Sequence, residues 1–391
     1  MPTSDETGLA HPSSHRGKAT SLWGAVFALN AQGLNWARGI MLLDVALVPL
    51  VVLLAMGKEQ YLLSAVFGAL FAGVVDPGGA YGHRASRIVV FGLAGAAITA
   101  FGFGIATSGW GWLVLAAFVI TLLAGLALTF GAHRFVAATL LNVWFFIALV
   151  LGSNHHESHV SSHTWGQVLA WLGGTALWLV LTFVGWVIQG REDRPQPFPE
   201  LPGDTSRRSL TPPLIAFAVL RALGVAGATA IAFGAGLSHA DWTPIAALVA
   251  MKPSLDQTTV VALQRLAGAL IGAGVAVVLL LVAADAHGLK LISIRHALEV
   301  VAIVILVHGA AIRFWNYALY TAAVAAGALL FTSLPESSDY SAEGERVLWT
   351  LVGVGIAVLV MLLGELLAKR GTPARPNAAS RTTASPSLRA S

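Results

Sequence analysis

The sequence predicts an all-α polytopic membrane protein, and its composition, its apolar segments and an internal repeat support that prediction. Of the 391 residues, 56% are hydrophobic and only 11% are charged, and the mean hydropathy is +0.75. Soluble domains carry about 25% charged residues, so the composition excludes an ordinary cytosolic enzyme. The basic residues are scattered among apolar runs, which excludes a nucleic-acid-binding chain. The chain has no cysteine for a disulfide, a thiolate metal site or a nucleophile.

About twelve apolar segments follow one another along the chain. Each is long enough, or nearly long enough, to cross the ~30 Å hydrocarbon core of a bilayer as a helix. We predict about 12 transmembrane helices over residues 39–56, 61–75, 87–106, 110–130, 135–151, 165–188, 214–237, 240–251, 264–284, 293–311, 315–333 and 347–367.

The basic residues predict the orientation of these helices. With the N-terminus inside, 18 of the 23 Lys and Arg residues fall on the cytoplasmic side, which is the positive-inside bias. We therefore expect a multi-pass protein of the plasma (inner) membrane with both termini in the cytoplasm. The expected cytoplasmic parts are an N-terminal segment, 1–37, a linker, 189–212, and a basic tail, 368–391.

The two membrane halves, residues 38–188 and 213–367, resemble each other at spaced points. Val75-Asp76-Pro77 corresponds to Met251-Lys252-Pro253, and an arginine follows the proline at 57 residues in one half and 60 in the other. Six helices per half is an even number, so both halves enter the membrane from the same side. We therefore predict two parallel six-helix repeats, an arrangement typical of transporters and channels.

The shortest predicted helices, the second and the eighth, end at the equivalent residues Pro77 and Pro253. Proline removes a backbone donor and ends or kinks a helix. Interrupted helices at matching places in two halves are a pointer to a binding site. The alternative is that both chains simply turn at the cytoplasmic surface of the membrane.

Few charged residues lie within the apolar segments, and four of them occupy matching places. Asp76 and Lys252 precede the two prolines directly, whereas Asp44 and Arg221 lie 33 and 32 residues before them. A charge near the bilayer centre costs roughly 2.5–3.5 kcal/mol, so such residues pair or line a wet cavity. We favour a structural ion pair for Asp76 and Lys252. For Arg221 we favour binding of a substrate carboxylate, and for Asp44 proton transfer; Lys252 and Asp76 are the alternatives for these two roles.

Further candidates have an equally plain structural explanation. Arg84, Arg87 and Arg265 place positive charge at the cytoplasmic mouth, where they either bind an anion or only set the topology. Glu299 and His133 lie in or near predicted helices and either relay protons or form structural hydrogen bonds.

No metal or cofactor is predicted. The His-rich loop 154–163 lacks a rigid helical frame and a second acid, so we interpret it as a solvated loop. No glycine loop of the phosphate-binding type is present, which argues against ATP-driven transport by this chain.

The second half carries motifs that resemble a known membrane module. The motifs are Trp242-Thr243-Pro244, Lys252-Pro253 and Gln264-Arg265-Leu-Ala-Gly268-Ala-Leu-Ile-Gly272, with Arg221, Asn316-Tyr317, Arg346 and Gly353 at further matching places. They resemble the fusaric-acid-resistance-like (FUSC) family. Two departures are that Ala269 stands where the family has Thr, and that no large soluble domain separates the halves.

The resemblance implies a plasma-membrane exporter of aromatic carboxylic acids that is proton-driven. We do not expect an enzyme, because the sequence shows no convergent nucleophile–base or metal-binding set. Related plant proteins are malate-type anion channels. The alternatives are a passive organic-anion channel and a non-transporting accessory or scaffold subunit of an efflux complex. The expected partners are a small organic anion, protons and the lipid bilayer, with a homodimer or a periplasmic efflux partner as alternatives and no nucleic acid.

Overall fold

The structure is a computed structural model, and it describes most of the apolar part of the chain. The described residues are 24, 27–30, 34, 36–153, 163–188, 190–191, 209–236, 242–252, 255–284, 288–313, 315–333 and 340–371. Pro253, most of the His-rich loop and most of the linker 189–212 lie outside these ranges, as do almost all of residues 1–35 and all of 372–391.

Within these residues, each of the twelve apolar segments corresponds to an α-helix. The helices are α1 (Trp36–Ala55), α2 (Leu62–Val75), α3 (Tyr81–Ile105), α4 (Trp110–Leu126), α5 (Ala132–Ser153), α6 (Thr164–Ile188), α7 (Pro212–Thr229), α8 (Trp242–Ala250), α9 (Leu255–Ala284), α10 (Gly288–Ile312), α11 (Tyr317–Ser333) and α12 (Tyr340–Gly371). Short 3₁₀ segments lie at Glu59–Tyr61 and Ala127–Phe130, and a π-helical turn follows α7 at Ala230–Gly234.

Seven helical stretches in the described part of the chain are long and apolar enough to cross a membrane. They are Tyr81–Ile105, Trp110–Phe130, Ala132–Ser153, Thr164–Ile188, Pro212–Gly234, Thr258–Leu281 and Leu348–Leu366. Shorter apolar stretches occur in α1, α2, α10 and α11, and α8 has only 9 residues. The described part of the chain is therefore all-helical, and the length and composition of its helices indicate a multi-pass membrane protein, whereas the count of twelve crossings stays a prediction.

Two compact groups of residues make up the chain. Residues 1–52 with 260–347 form the smaller group, which we call the small body, and residues 53–259 with 348–391 form the large body. This division differs from the sequence halves 38–188 and 213–367, because α7 and α8 belong to the same body as α2 to α6.

The core of the large body is a cluster of aromatic rings between α2, α3, α5 and α6. Trp144 and Trp171 are fully buried and stack with their ring centroids 4.8 Å apart. Their indole nitrogens donate hydrogen bonds to the Thr99 Oγ1 atom at 2.8 Å and to the Gly92 carbonyl at 3.1 Å. Both polar atoms of this apolar cluster are thus satisfied, as buried indoles require.

Glycines allow helix pairs in the large body to approach closely. A Cβ atom at Gly174 of α6 would strike the backbone of Ala65 and Ala69 in α2. A Cβ atom at Gly353 of α12 would likewise strike the backbone of α8 at Thr243 and Ala247. Small residues at such contacts let helices pack in lipid, where no hydrophobic driving force brings them together.

In the small body, α11 packs against α10 and α9. Gly268 and Gly272 of α9 face Thr321 and Ala322 of α11, in agreement with the close helix contact that their four-residue spacing predicts. Asn316 caps α11, because its Oδ1 atom accepts the Leu319 N–H at 2.9 Å.

Candidate anion site

Arg221 is a buried cation in the middle of α7. The helix begins with Thr211 in an extended conformation and Pro212 in its first turn, where proline lacks only a donor that would be unpaired anyway. In the folded chain α7 packs against α4 and α8. As a result, the Arg221 side chain is 1% exposed, although it carries a charged guanidinium.

The guanidinium of Arg221 is only partly hydrogen-bonded. Its Nη2 atom donates to Thr139 Oγ1 at 3.1 Å and to the Leu248 carbonyl at 3.2 Å. Its Nε and Nη1 atoms are buried and have no hydrogen-bond partner among the described residues. Since a guanidinium carries five N–H donors, three of them point at no acceptor.

An aromatic ring lies beside this cation. The Cζ atom of Arg221 lies 4.9 Å from the centroid of the Phe135 ring, within the range of a cation–π interaction. Phe217, one turn before Arg221, packs against Phe135 at 6.2 Å. These apolar rings lower the local dielectric, so a charge that meets the open N–H donors interacts strongly with them.

The two protein acceptors of Arg221 are a hydroxyl and a carbonyl, and neither carries a charge. A buried charge without a counter-charge costs several kcal/mol. No carboxylate of the described residues bonds this guanidinium, which argues against a structural ion pair. A small anion would supply both the missing acceptors and the missing charge.

Asp76 has a different environment at the end of α2. It is fully buried, and its Oδ1 and Oδ2 atoms accept hydrogen bonds from Arg84 Nε at 3.0 Å and Arg84 Nη2 at 2.7 Å. The Trp178 indole donates to Oδ2 at 3.0 Å, and the Gly78 N–H donates to Oδ1 at 2.9 Å. Four donors therefore satisfy the carboxylate completely.

This arrangement corrects the pairing that the sequence analysis favours. The described ion-pair partner of Asp76 is Arg84 in the next helix rather than Lys252 of the other half. The reason is local, because the turn after Pro77 brings the fourth residue of α3 back to the end of α2. Arg84, a candidate anion contact, has two of its three nitrogens on Asp76 instead.

The turn itself contains the predicted proline break. Helix α2 ends at Val75, and Gly78 and Gly79 follow Pro77 with φ values of +69° and +82°, a conformation that favours glycine. His133 of α5 bonds the Val75 carbonyl through Nε2 at 2.9 Å, so this histidine has a structural contact at the helix end.

The second break contains hydrogen bonds between a threonine hydroxyl and the backbone. Helix α8 ends at Ala250, and the Thr258 hydroxyl accepts the Lys252 N–H at 3.0 Å and donates to the Lys252 carbonyl at 3.2 Å. Lys252 is half-buried and Thr258 fully buried. Pro253 lies outside the described residues.

The other basic candidates differ in exposure. Arg87 is exposed on α3, two turns from its start. Arg265 of α9 is half-buried in the small body, and its Nε atom is buried without a hydrogen-bond partner in the described structure. Tyr320, on the neighbouring α11, lies within electrostatic range of Arg265.

The two remaining acidic candidates lie in the small body. Asp44 is exposed on α1, and Glu299 is 8% exposed within α10. Nothing in the sequence distinguishes their burial, since both acids are set in apolar segments.

Several residues of the site are absent from the sequence-based prediction. Thr139, Phe135 and Trp178 lie far along the chain from the charged groups that they contact. The signal in the sequence is weak: a threonine or a tryptophan within an apolar helix is ordinary. Among the described residues no group of three or more His, Asp or Glu side chains suits a metal ion, and most of the His-rich loop is outside them.

Comparison with known proteins supports the resemblance seen in the motifs. No curated protein and no solved structure matches this chain. Residues 216–360 match the family model described as fusaric acid resistance protein-like, a span that begins just before Arg221 and ends in α12. This part of the chain, about a third of its length, is thus similar to the fusaric acid resistance protein-like family.

Proposed function

We propose that the protein is a secondary transporter of the plasma (inner) membrane that exports small organic anions, and that Arg221 binds the anion. The observation that supports this proposal is the buried Arg221 guanidinium, whose Nε and Nη1 atoms have no hydrogen-bond partner among the described residues. An anion at these donors supplies the missing acceptors and the missing counter-charge together. The similarity of residues 216–360 to the fusaric acid resistance protein-like family is consistent with this role.

The anion that fits best is a carboxylate with an aromatic ring. A carboxylate oxygen meets the open N–H donors of Arg221, and a flat ring packs on Phe135 and Phe217. This composition of the site supports the substrate class that the sequence resemblance implies.

For the architecture, we propose twelve crossings in two parallel repeats with both termini in the cytoplasm. Matching helix contacts support it: Gly353 lies 179 positions after Gly174, and its neighbours Thr243 and Ala247 lie 178 positions after Ala65 and Ala69. Equivalent residues of the two halves thus make the same close approach.

Proton coupling is assigned to Asp44 rather than to Asp76. A carrier must lose and regain its proton in each cycle, whereas four donors engage the buried Asp76 carboxylate in a structural contact. Asp44 is exposed, so protons can reach it. Glu299 is the alternative carrier.

The test is efflux of radiolabelled benzoate from proteoliposomes that contain the purified chain. With an imposed proton gradient we expect efflux well above that of empty liposomes, with excess unlabelled benzoate but not neutral benzamide competing. Arg221→Gln should abolish it, because the glutamine has no positive charge, whereas Lys58→Gln, an exposed lysine next to Gly57, serves as the matched control and should not. Unchanged efflux by Arg221→Gln would contradict the assignment of the site.

A passive organic-anion channel is the second candidate. The complete hydrogen bonding of Asp76 favours a channel, because it leaves only two of the three candidate acids for proton coupling. Planar-bilayer currents that are anion-selective and unchanged by Asp44→Asn would identify a channel. Efflux that collapses without a proton gradient would identify the coupled exporter. Absence of both, with a co-purifying partner, would point to an accessory subunit.

A further inference from the structure

The C-terminal end of α6 is closed by a Schellman motif that fixes an arginine on a tryptophan. The Arg191 N–H donates to the Trp186 carbonyl at 3.0 Å, and the Gly190 N–H donates to the Val187 carbonyl at 3.1 Å. Gly190 has a φ of +78°, and Arg191 has a φ of +61°, which is uncommon for a residue other than glycine. This cap brings the Arg191 Cζ atom to 5.9 Å from the centroid of the Trp186 ring.

Trp186 is one member of an aromatic group that joins α6 to the start of α3. The rings of Tyr81 and Trp186 are stacked, with centroids 5.2 Å apart and planes 22° apart. Phe183 packs against both rings at 5.4 and 6.0 Å and is 45% exposed. We call Tyr81, Phe183, Trp186 and Arg191 the aromatic–arginine cluster.

This cluster lies at the end of two helices that are each long and apolar enough to cross a membrane. Tyr81 is the first residue of α3, and Trp186 is two residues from the end of α6. Tyr and Trp favour the headgroup level of a bilayer. Arg191 is exposed there, and Arg87, in the second turn of α3, is a second exposed cation.

We propose that the aromatic–arginine cluster is a binding site for the headgroup of an anionic phospholipid. The phosphate would meet the Arg191 guanidinium, which the helix cap already orders, and the glycerol and upper acyl chains would lie along Phe183 and Trp186. An ordered cation over a partly exposed aromatic surface at this level suits a lipid phosphate better than a soluble anion. Basic groups beside transmembrane helices select anionic over zwitterionic lipids.

The test uses the purified full chain in detergent, titrated with phosphatidylglycerol or phosphatidylcholine, with native mass spectrometry to count the bound lipids. We expect tighter retention of phosphatidylglycerol. Arg191→Gln should weaken it about fivefold, the size expected for one arginine near an anionic surface. Arg87→Gln should weaken it less, and Trp186→Leu should weaken it with all charges kept.

A matched variant and a soluble probe keep the proposal open to refutation. Arg134→Gln removes an arginine from another ring contact, 5.6 Å above Phe130, and should leave retention unchanged. Equal retention of both lipids, no effect of Arg191→Gln, or full displacement by inorganic phosphate would overturn the proposal.

Discussion

The two helix breaks solve the same structural problem with different chemistry. In each, a helix ends just before a residue–proline pair, and the fourth residue of the next helix reaches back to the residue before the proline. In the first break this is Arg84 holding the Asp76 carboxylate, and in the second it is Thr258 bonding the backbone of Lys252. The halves therefore share the geometry of the break but not the residues that stabilise it.

The two breaks differ in the strength of the contacts that hold them. Asp76 is fully buried with four donors, two of them from a charged guanidinium, whereas the hydrogen bonds between the Thr258 hydroxyl and the Lys252 backbone are neutral. Charge-assisted bidentate pairs are about twice as strong as neutral hydrogen bonds. We therefore expect the first break to act as a fixed support and the second, whose end of α8 also supplies the Leu248 carbonyl to Arg221, to move more readily.

The largest effect is expected from Arg84→Gln. The substitution leaves the Asp76 carboxylate buried without its counter-charge, which costs about 3 kcal/mol, the lower end for buried pairs because Arg84 is 21% exposed. The measurement is the free energy of unfolding in detergent micelles on titration with dodecyl sulfate.

A double-mutant cycle tests whether Asp76 and Arg84 stabilise each other. Asp76→Asn combined with Arg84→Gln removes both charges, so the double variant should lose less unfolding free energy than the two single variants lose in sum. Additive losses would show that the two side chains do not interact energetically, and the contrast between the breaks would then be lost.

Much of the fold could be predicted from the sequence, because the helices follow from the lengths of the apolar segments. All twelve predicted segments correspond to helices, and the prolines locate the end of α2 and lie just beyond the end of α8. The partner of Asp76 could not be predicted in this way. Symmetry between the halves pointed to Lys252, but the actual partners depend on the turn that follows Pro77 and on Trp178, which is 102 residues away.

The candidate anion site, too, could be predicted from the sequence only in part. Its cation, Arg221, was recognisable because a charge within an apolar segment is costly and rare. Its neighbours were not, because Thr139 and Phe135 belong to another helix and have no unusual sequence context. The unpartnered Nε and Nη1 atoms are a property of packing that no spacing in the sequence reports.

The repeat itself is tested by a pair of glycine substitutions with intermediate effects. Gly174→Ala and Gly353→Ala each place a methyl group against the backbone of the neighbouring helix. Overpacking of this kind costs about 1–3 kcal/mol. We expect similar losses of unfolding free energy in the two variants, since equivalent residues of both halves make the contact.

Neighbouring glycines provide the controls for this comparison. A Cβ atom at Gly173 or at Gly355 meets nothing within 4 Å, so alanine there should be neutral or slightly stabilising. If Gly174→Ala were costly and Gly353→Ala were as harmless as Gly355→Ala, the matching contacts would not be equivalent and the proposed repeat would lose its support.

The smallest effect is expected at the second break, from Thr258→Val. Valine keeps the shape of threonine but removes both hydrogen bonds to the Lys252 backbone, a loss of about 1–2 kcal/mol for a buried hydroxyl. Thr258→Ser keeps the hydroxyl and should retain most of the stability. Amide hydrogen exchange at Lys252 should rise in Thr258→Val but not in Thr258→Ser, because the Thr258 hydroxyl is the described acceptor of that N–H. A loss as large as that of Arg84→Gln would mean that both breaks are equally rigid, and the second would then not be the part that moves.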